Sequence, residues 1–247
     1  MLLSILFFSG LLSGCGHNDS NENVTDKQQA AEIRLTLGMK YLALGDLQAA
    51  RINIERAVNY APQDYRTQLG MALYLQSISE NESADARYRQ ALSLAPDNGD
   101  ILNNYGAFLC TLGQYDAAQN YFDSAAKTTS LEGIANSLEN SGYCLLQAGQ
   151  VDKAQIKLSR ALKQAPEKGE RVLKMSTTYF QQQKRVEALA LLNLYQQVLP
   201  VSAESLWIQI QYAASDNRLN DVQRYGKQLA QDFSQSKQYQ LFLAHEY

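Results

Sequence analysis

Thiols and imidazoles are few in this 247-residue chain: Cys15, Cys110, Cys144, His17 and His245. The two histidines stand near opposite ends of the sequence, so neither a histidine metal cluster nor a His-based nucleophilic triad can be assembled from them. No phosphate-binding GxxxxGK[ST] loop, no GxSxG elbow and no HExxH pair occurs. The aspartates and glutamates are scattered along what the register below places on outer helical faces, where solvated surface is their ordinary role. The residues therefore point to a non-enzymatic chain without metal, without a small-molecule substrate and without a cofactor other than a covalent lipid.

That lipid is suggested by Cys15. Met1 to Leu12 (MLLSILFFSGLL) is an apolar run too short to cross a bilayer core as a helix and suited to the h-region of a signal peptide. It runs into Leu12-Ser13-Gly14-Cys15, which resembles the bacterial lipobox, where cleavage before the cysteine frees it to carry a diacylglycerol. Residues 1–14 read as the signal peptide and Cys15 as the lipid attachment site. Two or more acyl chains give the stable anchoring that one chain does not, at ~0.8 kcal/mol per buried CH₂. An ordinary secretory peptide with an incidental cysteine, or a buried helix, is the alternative. Leaders of this kind begin with Lys or Arg, whereas the first basic residue here is Lys27, so translation is expected to start upstream of Met1. Residues 15–30 are nearly all polar and read as a flexible tether reaching ~20 Å from the bilayer.

With Cys15 lipidated, Cys110 and Cys144 remain as an even pair in an oxidising compartment, separated by the same interval as the repeat described below. Either they are joined, closing a loop worth ~3 to 4 kcal/mol of chain entropy, or they are two thiols on helices whose Cα atoms never come within ~7 Å.

The elements that would position these residues follow from composition and period. Four prolines and 14 glycines in a chain of formal charge −3, without basic blocks, favour helices and disfavour a nucleic-acid partner. Pro62 and Pro96 stand one interval apart, and Pro166 and Pro200 stand the same interval apart. The gap from Pro96 to Pro166 is twice that interval plus two, so all four share one phase, with one proline missing near Ser130 and two residues inserted beside it. A period of ~34 residues belongs to the tetratricopeptide repeat, a pair of antiparallel helices. Repeat one, from Ala31, supplies Leu37, Gly38, Tyr41, Ala50, Ile54, Ala57 and Pro62; the further repeats start near 65, 99, 135, 169 and 203. Gly45, Gly113 and Gly149 fall in the turns within repeats. The fold class is all-α: a tetratricopeptide-repeat superhelix of about six repeats over residues 31–247, closed by a capping helix at 236–247.

In such a stack the first helix of each repeat lines the concave face through its positions 2, 5, 9, 12 and 13. Leu35, Met39, Leu42, Leu69 and Leu73 then make the N-terminal half of the groove apolar, suited to an amphipathic or extended partner segment. Packing against the tether is the alternative occupant. Asn103, Asn136, Glu139 and Tyr143 make the middle of the groove more polar. The Lys/Asn/Arg clamp with which some repeats of this type grip a carboxylate is absent, since Leu35 and Met39 stand where its Lys and Asn would be needed.

Lipobox, polar tether and six repeats together resemble the type IV pilus biogenesis and stability lipoproteins, the PilF/PilW pilotin family. Asn103-Asn104-Tyr105-Gly106-Ala107-Phe108-Leu109 and Tyr239-Gln240-Leu241-Phe242 are similar to segments of that family. The resemblance implies an outer-membrane lipoprotein facing the periplasm of a Gram-negative bacterium, with the type IV pilus secretin as protein partner, whose localisation and multimerisation it promotes. The alternative is a scaffold for peptidoglycan hydrolases or for outer-membrane barrel assembly.

Overall fold

The computed structural model describes residues 19–128 and 130–247, with side chains from residue 25 onward. The expected signal peptide at residues 1–14, Cys15 and His17 lie outside the described residues. Within the described residues, thirteen α-helices follow in order: α1 Asp19–Ala43, α2 Leu47–Tyr60, α3 Tyr65–Ser77, α4 Asn81–Leu94, α5 Gly99–Thr111, α6 Tyr115–Thr128, α7 Leu131–Gln147, α8 Val151–Gln164, α9 Gly169–Gln181, α10 Arg185–Val198, α11 Ala203–Ser215, α12 Leu219–Asp232 and α13 Lys237–Leu243. A short 3₁₀ turn, Pro166–Lys168, precedes α9. Among the described residues there is no strand. The fold is that of tetratricopeptide repeats, odd-numbered helices being the first (A) and even-numbered ones the second (B) of each pair, with α13 added at the end.

Every B helix has 14 residues, and α3, α5, α9 and α11 have 13. The turn inside each repeat closes on one residue in the left-handed region: Gly45, Ser79, Gly113, Gly149, Gln183 and Asn217. Those positions recur at one constant interval, except that the step from Gly113 to Gly149 is longer by two, where the insertion falls. Three of the six are glycine, for which a positive φ costs nothing; the other three were not singled out by composition. The four-residue linkers 61–64, 95–98, 165–168 and 199–202 each carry a proline second, and it stops the preceding helix by removing a donor. Asp64, Asn98, Ser202 and Ser236 then cap the following helices by accepting backbone N–H groups.

The structure departs from the expected layout at two places. Repeat four begins at Leu131, four residues before the expected start near 135, and α7 grows to 17 residues. Two inserted residues and two former linker residues thus become one extra helical turn, capped by the Ser130 hydroxyl, which accepts from the Gly133 amide at 3.2 Å. The second departure is the tether. Residues 19–30 are not a flexible coil but the first half of α1, a helix of 25 residues. Adding a residue to an existing helix is far easier than nucleating one, so polar residues continue a helix that packing has already started at Ala31. Gln28 fixes the stretch laterally, its side-chain amide donating to Asp64 at 3.1 Å.

The chain divides into two compact units, Met1–Arg87 and Tyr88–Tyr247. In the first, Ala50, Ile54, Met71 and Tyr74 form the core, with Met39, Tyr41, Leu42, Val58 and Leu75 packed around it. Gly38 lets α1 and α2 cross closely: a Cβ there would stand 2.6 Å from Ile54 Cγ1. In the second, a core from Tyr143 through Leu158, Leu173 and Leu191 to Tyr212 joins α7 to α11. Gly142 plays the part of Gly38, facing Leu158. The α13 side chains Tyr239, Leu241 and Phe242 close the apolar end formed by Leu206, Trp207, Val222 and Leu229.

Candidate functional site

Two faces built from A helices are candidates for recognition, one in each unit. In the first unit the five residues of the expected apolar groove fall on two first helices that pack on each other, α1 and α3. Leu35, Met39 and Leu42 lie on α1 and Leu69 and Leu73 on α3, all half-buried. Gly70 of α3 makes room for two of them: a Cβ there would collide with Leu35 and touch the Met39 sulfur at 3.6 Å. Leu35 and Met39 therefore do two jobs, packing α1 on α3 with part of their surface and presenting the rest to solvent. The helical run of residues 19–30 continues the α1 axis, so it does not fold back over this face.

In the second unit the corresponding positions of repeat four are ionic. The Glu139 carboxylate is 2% exposed. Its Oε2 accepts from Lys168 Nζ at 2.8 Å, and the same ammonium donates to Asn136 Oδ1 at 2.6 Å. Arg171 Nε lies 3.5 Å from Glu139 Oε1, and the Arg171 guanidinium sits 5.7 Å from the centre of the Tyr143 ring. Tyr143 is buried, which pushes its phenol well above the usual range, and the Glu139 charge adds to that shift. Among the described residues, neither Tyr143 Oη nor Glu139 Oε1 has a hydrogen-bond partner. On the neighbouring side, Asn140 Nδ2 donates to Asn103 Oδ1 at 3.1 Å and so links α7 to α5.

Asn103, Asn136, Glu139 and Tyr143 come from the expected polar middle of the groove, but Lys168 and Arg171 do not. They stand at the end of a linker and at the third residue of α9, outside the positions by which a concave face is read from sequence. The only signal was charge type near Pro166, which is too common to single them out.

Cys110 of α5 and Cys144 of α7 are joined in a disulfide, with Cα atoms 5.8 Å apart. The bond ties the two helices beside the Asn103–Asn140 contact. Among the described residues no group of three or more His, Cys, Asp or Glu could hold a metal ion. None of their helices is long and apolar enough to cross a membrane.

Comparison with known proteins gives concordant results. Tetratricopeptide-repeat signatures match residues 31–64, 88–120 and 109–168. The type IV pilus assembly protein PilF of Pseudomonas aeruginosa is 28% identical over 236 residues, 94% of each chain. The solved structure of Pseudomonas aeruginosa PilF is similar with a TM-score of 0.62 at 26% identity, covering 89% of this chain and 99% of that one. PilW, described as a widely conserved type IV pilus biogenesis factor, gives a TM-score of 0.62 at 28% identity over 87% and 99%.

Proposed function

From a chain that belongs to the PilF/PilW family of tetratricopeptide-repeat proteins, we propose a non-catalytic scaffold of type IV pilus biogenesis. It is anchored to the outer membrane by lipid on Cys15, faces the periplasm and aids the localisation and multimerisation of the secretin through which pili extend. The observation that carries this reading is likeness along nearly the whole length of both chains to a type IV pilus assembly protein. The α1–α3 face supplies a means: five half-buried Leu and Met side chains on a rigid pair of helices suit an amphipathic or extended segment of a partner.

A strain lacking the protein tests the reading. Twitching motility, surface pili and secretin multimers are expected to fall together, and normal levels of all three would reject it. Complementation with Cys15→Ala separates the anchor from the scaffold. Release of the protein from membranes is expected, and retention would remove Cys15 as the lipid site while leaving the repeats' role standing.

A further inference from the structure

We propose that the open end of the first unit, formed by α1 and α2, is a lipid-docking face that rests on the bilayer in which Cys15 is anchored. The inference rests on the anchor reading and is separate from the α1–α3 face, which it leaves free. Leu37 of α1 and Leu44 just after it are seven residues apart, two helical turns, and so share one side of the rod. Leu47 and Ile52 of α2 extend the patch. Leu44 is 80% exposed, Ile52 43% and Leu47 40%, and an exposed Lys40 stands between Leu37 and Leu44.

Repeat four shows which way these positions look. Counted from the left-handed glycines of the two turns, Gly45 and Gly149, residues Leu37, Lys40 and Ile52 correspond to Ser141, Cys144 and Ile156. Ser141 donates to Gln119 of α6, Cys144 is bonded to Cys110 of α5, and Ile156 borders the groove between α8 and α6. All three address the preceding repeat. Among the described residues no repeat precedes α1, so the same positions in repeat one have no such neighbour. The second unit covers its last repeat with Tyr239, Leu241 and Phe242 of α13, whereas the first unit leaves aliphatic side chains bare where a stack end calls for a polar cap.

What covers this end follows from the length of chain between α1 and the anchor. Three residues separate Cys15 from Asp19, so α1 starts within ~14 Å of the lipid attachment site. The helix is continuous from there, which puts Leu37 to Leu44 ~27 to 38 Å along the same rod. A bilayer held this close by a covalent bond is always within reach, whereas a second copy or a partner protein must first arrive by diffusion. The side chains suit the headgroup level. Aliphatic groups enter the acyl boundary, and the Lys40 stem follows them while its ammonium stays among the phosphates. Residues 19–30, polar apart from Val24 and Ala30, lie in the hydrated headgroup layer. No described helix is long and apolar enough to cross the membrane, so the contact is interfacial.

The test uses the full lipidated chain in vesicles of phosphatidylethanolamine and phosphatidylglycerol. With Cys15 acylated and Cys110 bonded to Cys144, an introduced cysteine is the free thiol. Leu44→Cys, and separately Glu82→Cys on the first turn of α4, then carry an environment-sensitive fluorophore. Lipids with a nitroxide on an upper acyl carbon should quench the Leu44 label about threefold more than the Glu82 label. Leu47→Asp with Ile52→Asp should bring the Leu44 label down to the Glu82 level at an unchanged melting temperature. Equal quenching of the two labels, or quenching of the Leu44 label that survives the double variant, would overturn the proposal. Leu44 emission that shifts to the blue with protein density but escapes the nitroxide would overturn it in favour of a second copy. Intact mass separates the docking from the anchor: a chain without lipid on Cys15 rejects both, whereas a lipidated chain with an unquenched Leu44 label rejects the docking alone.

Discussion

Repeat one and repeat four are built on the same positions and present opposite chemistry. Gly38 and Gly142 admit the second helix, Ala50 and Ala154 line its approach, and Ile54 and Leu158 fill the contact; all six are buried. At positions 5 and 9 of the first helix, however, repeat one has Leu35 and Met39, whereas repeat four has Glu139 and Tyr143. The skeleton constrains only the residues that hold two helices together, so the face beside them is free to become apolar or ionic without a change of fold. What such a protein binds has to be argued repeat by repeat.

The disulfide gives the largest way to separate the two units. Closing a 34-residue loop, it should contribute ~3 to 4 kcal/mol to the second unit and nothing to the first. Reduction, or Cys110→Ser with Cys144→Ser, should therefore accelerate amide hydrogen exchange in α5 to α8 while α1 to α3 keep their protection. Equal loss in both units would mean that they unfold as one.

Glu139→Ala should come next, at about 3 kcal/mol, because it leaves the Lys168 ammonium, 15% exposed, with only Asn136. Replacing both partners, as in Glu139→Leu with Lys168→Met, should recover most of that loss, since two apolar groups need no partner. Additive losses in the double variant, measured by urea denaturation, would show that the pair's charge is not what holds α7 to the start of α9.

Met39→Asp probes the other face. Met39 packs partly on the core and partly on Gly70, so a carboxylate there should cost about 1 to 2 kcal/mol and leave the unit folded. Secretin multimers should fall by more than that loss explains. Ile33→Asp, on a residue that is 59% exposed and outside the five-residue groove, is the matching control and should leave multimers unchanged. A similar fall in both variants would remove the α1–α3 face from the proposed function.

How much of this was legible in the sequence depends on whether a residue's role is local. The period was legible because Pro62, Pro96, Pro166 and Pro200 each act within one turn of chain, and the linkers fall where they stand. The start of α7 was not, because its signal is the loss of a proline, and a lone Ser130 cap competes with many other serines. Residues 19–30 misled because polarity reports what a segment cannot bury, whereas their helicity comes from the packing of the residues that follow. The placement of Leu35, Met39 and Leu42 on one first helix and of Leu69 and Leu73 on the next could be read from spacing alone. The ionic face could not, since Lys168 and Arg171 meet Glu139 only through tertiary packing, from beyond the whole of α8.

The smallest expected effect lies in the turns. Ser79 in the first unit and Gln183 and Asn217 in the second occupy left-handed positions that Gly45, Gly113 and Gly149 fill elsewhere, with φ of 62°, 64° and 56°. Asparagine tolerates that region, whereas glutamine has no short polar group to compensate for its Cβ. Relief of that strain outweighs the extra freedom that glycine gains in the unfolded chain. Gln183→Gly should therefore stabilise the second unit by ~0.5 to 1 kcal/mol, a rise of roughly 1 to 4 °C in melting temperature. Asn217→Gly should change little, and Gly113→Ala should lose about what Gln183→Gly gains. A drop for Gln183→Gly would mean that the side chain makes a compensating contact, and the six turns would then no longer be equivalent.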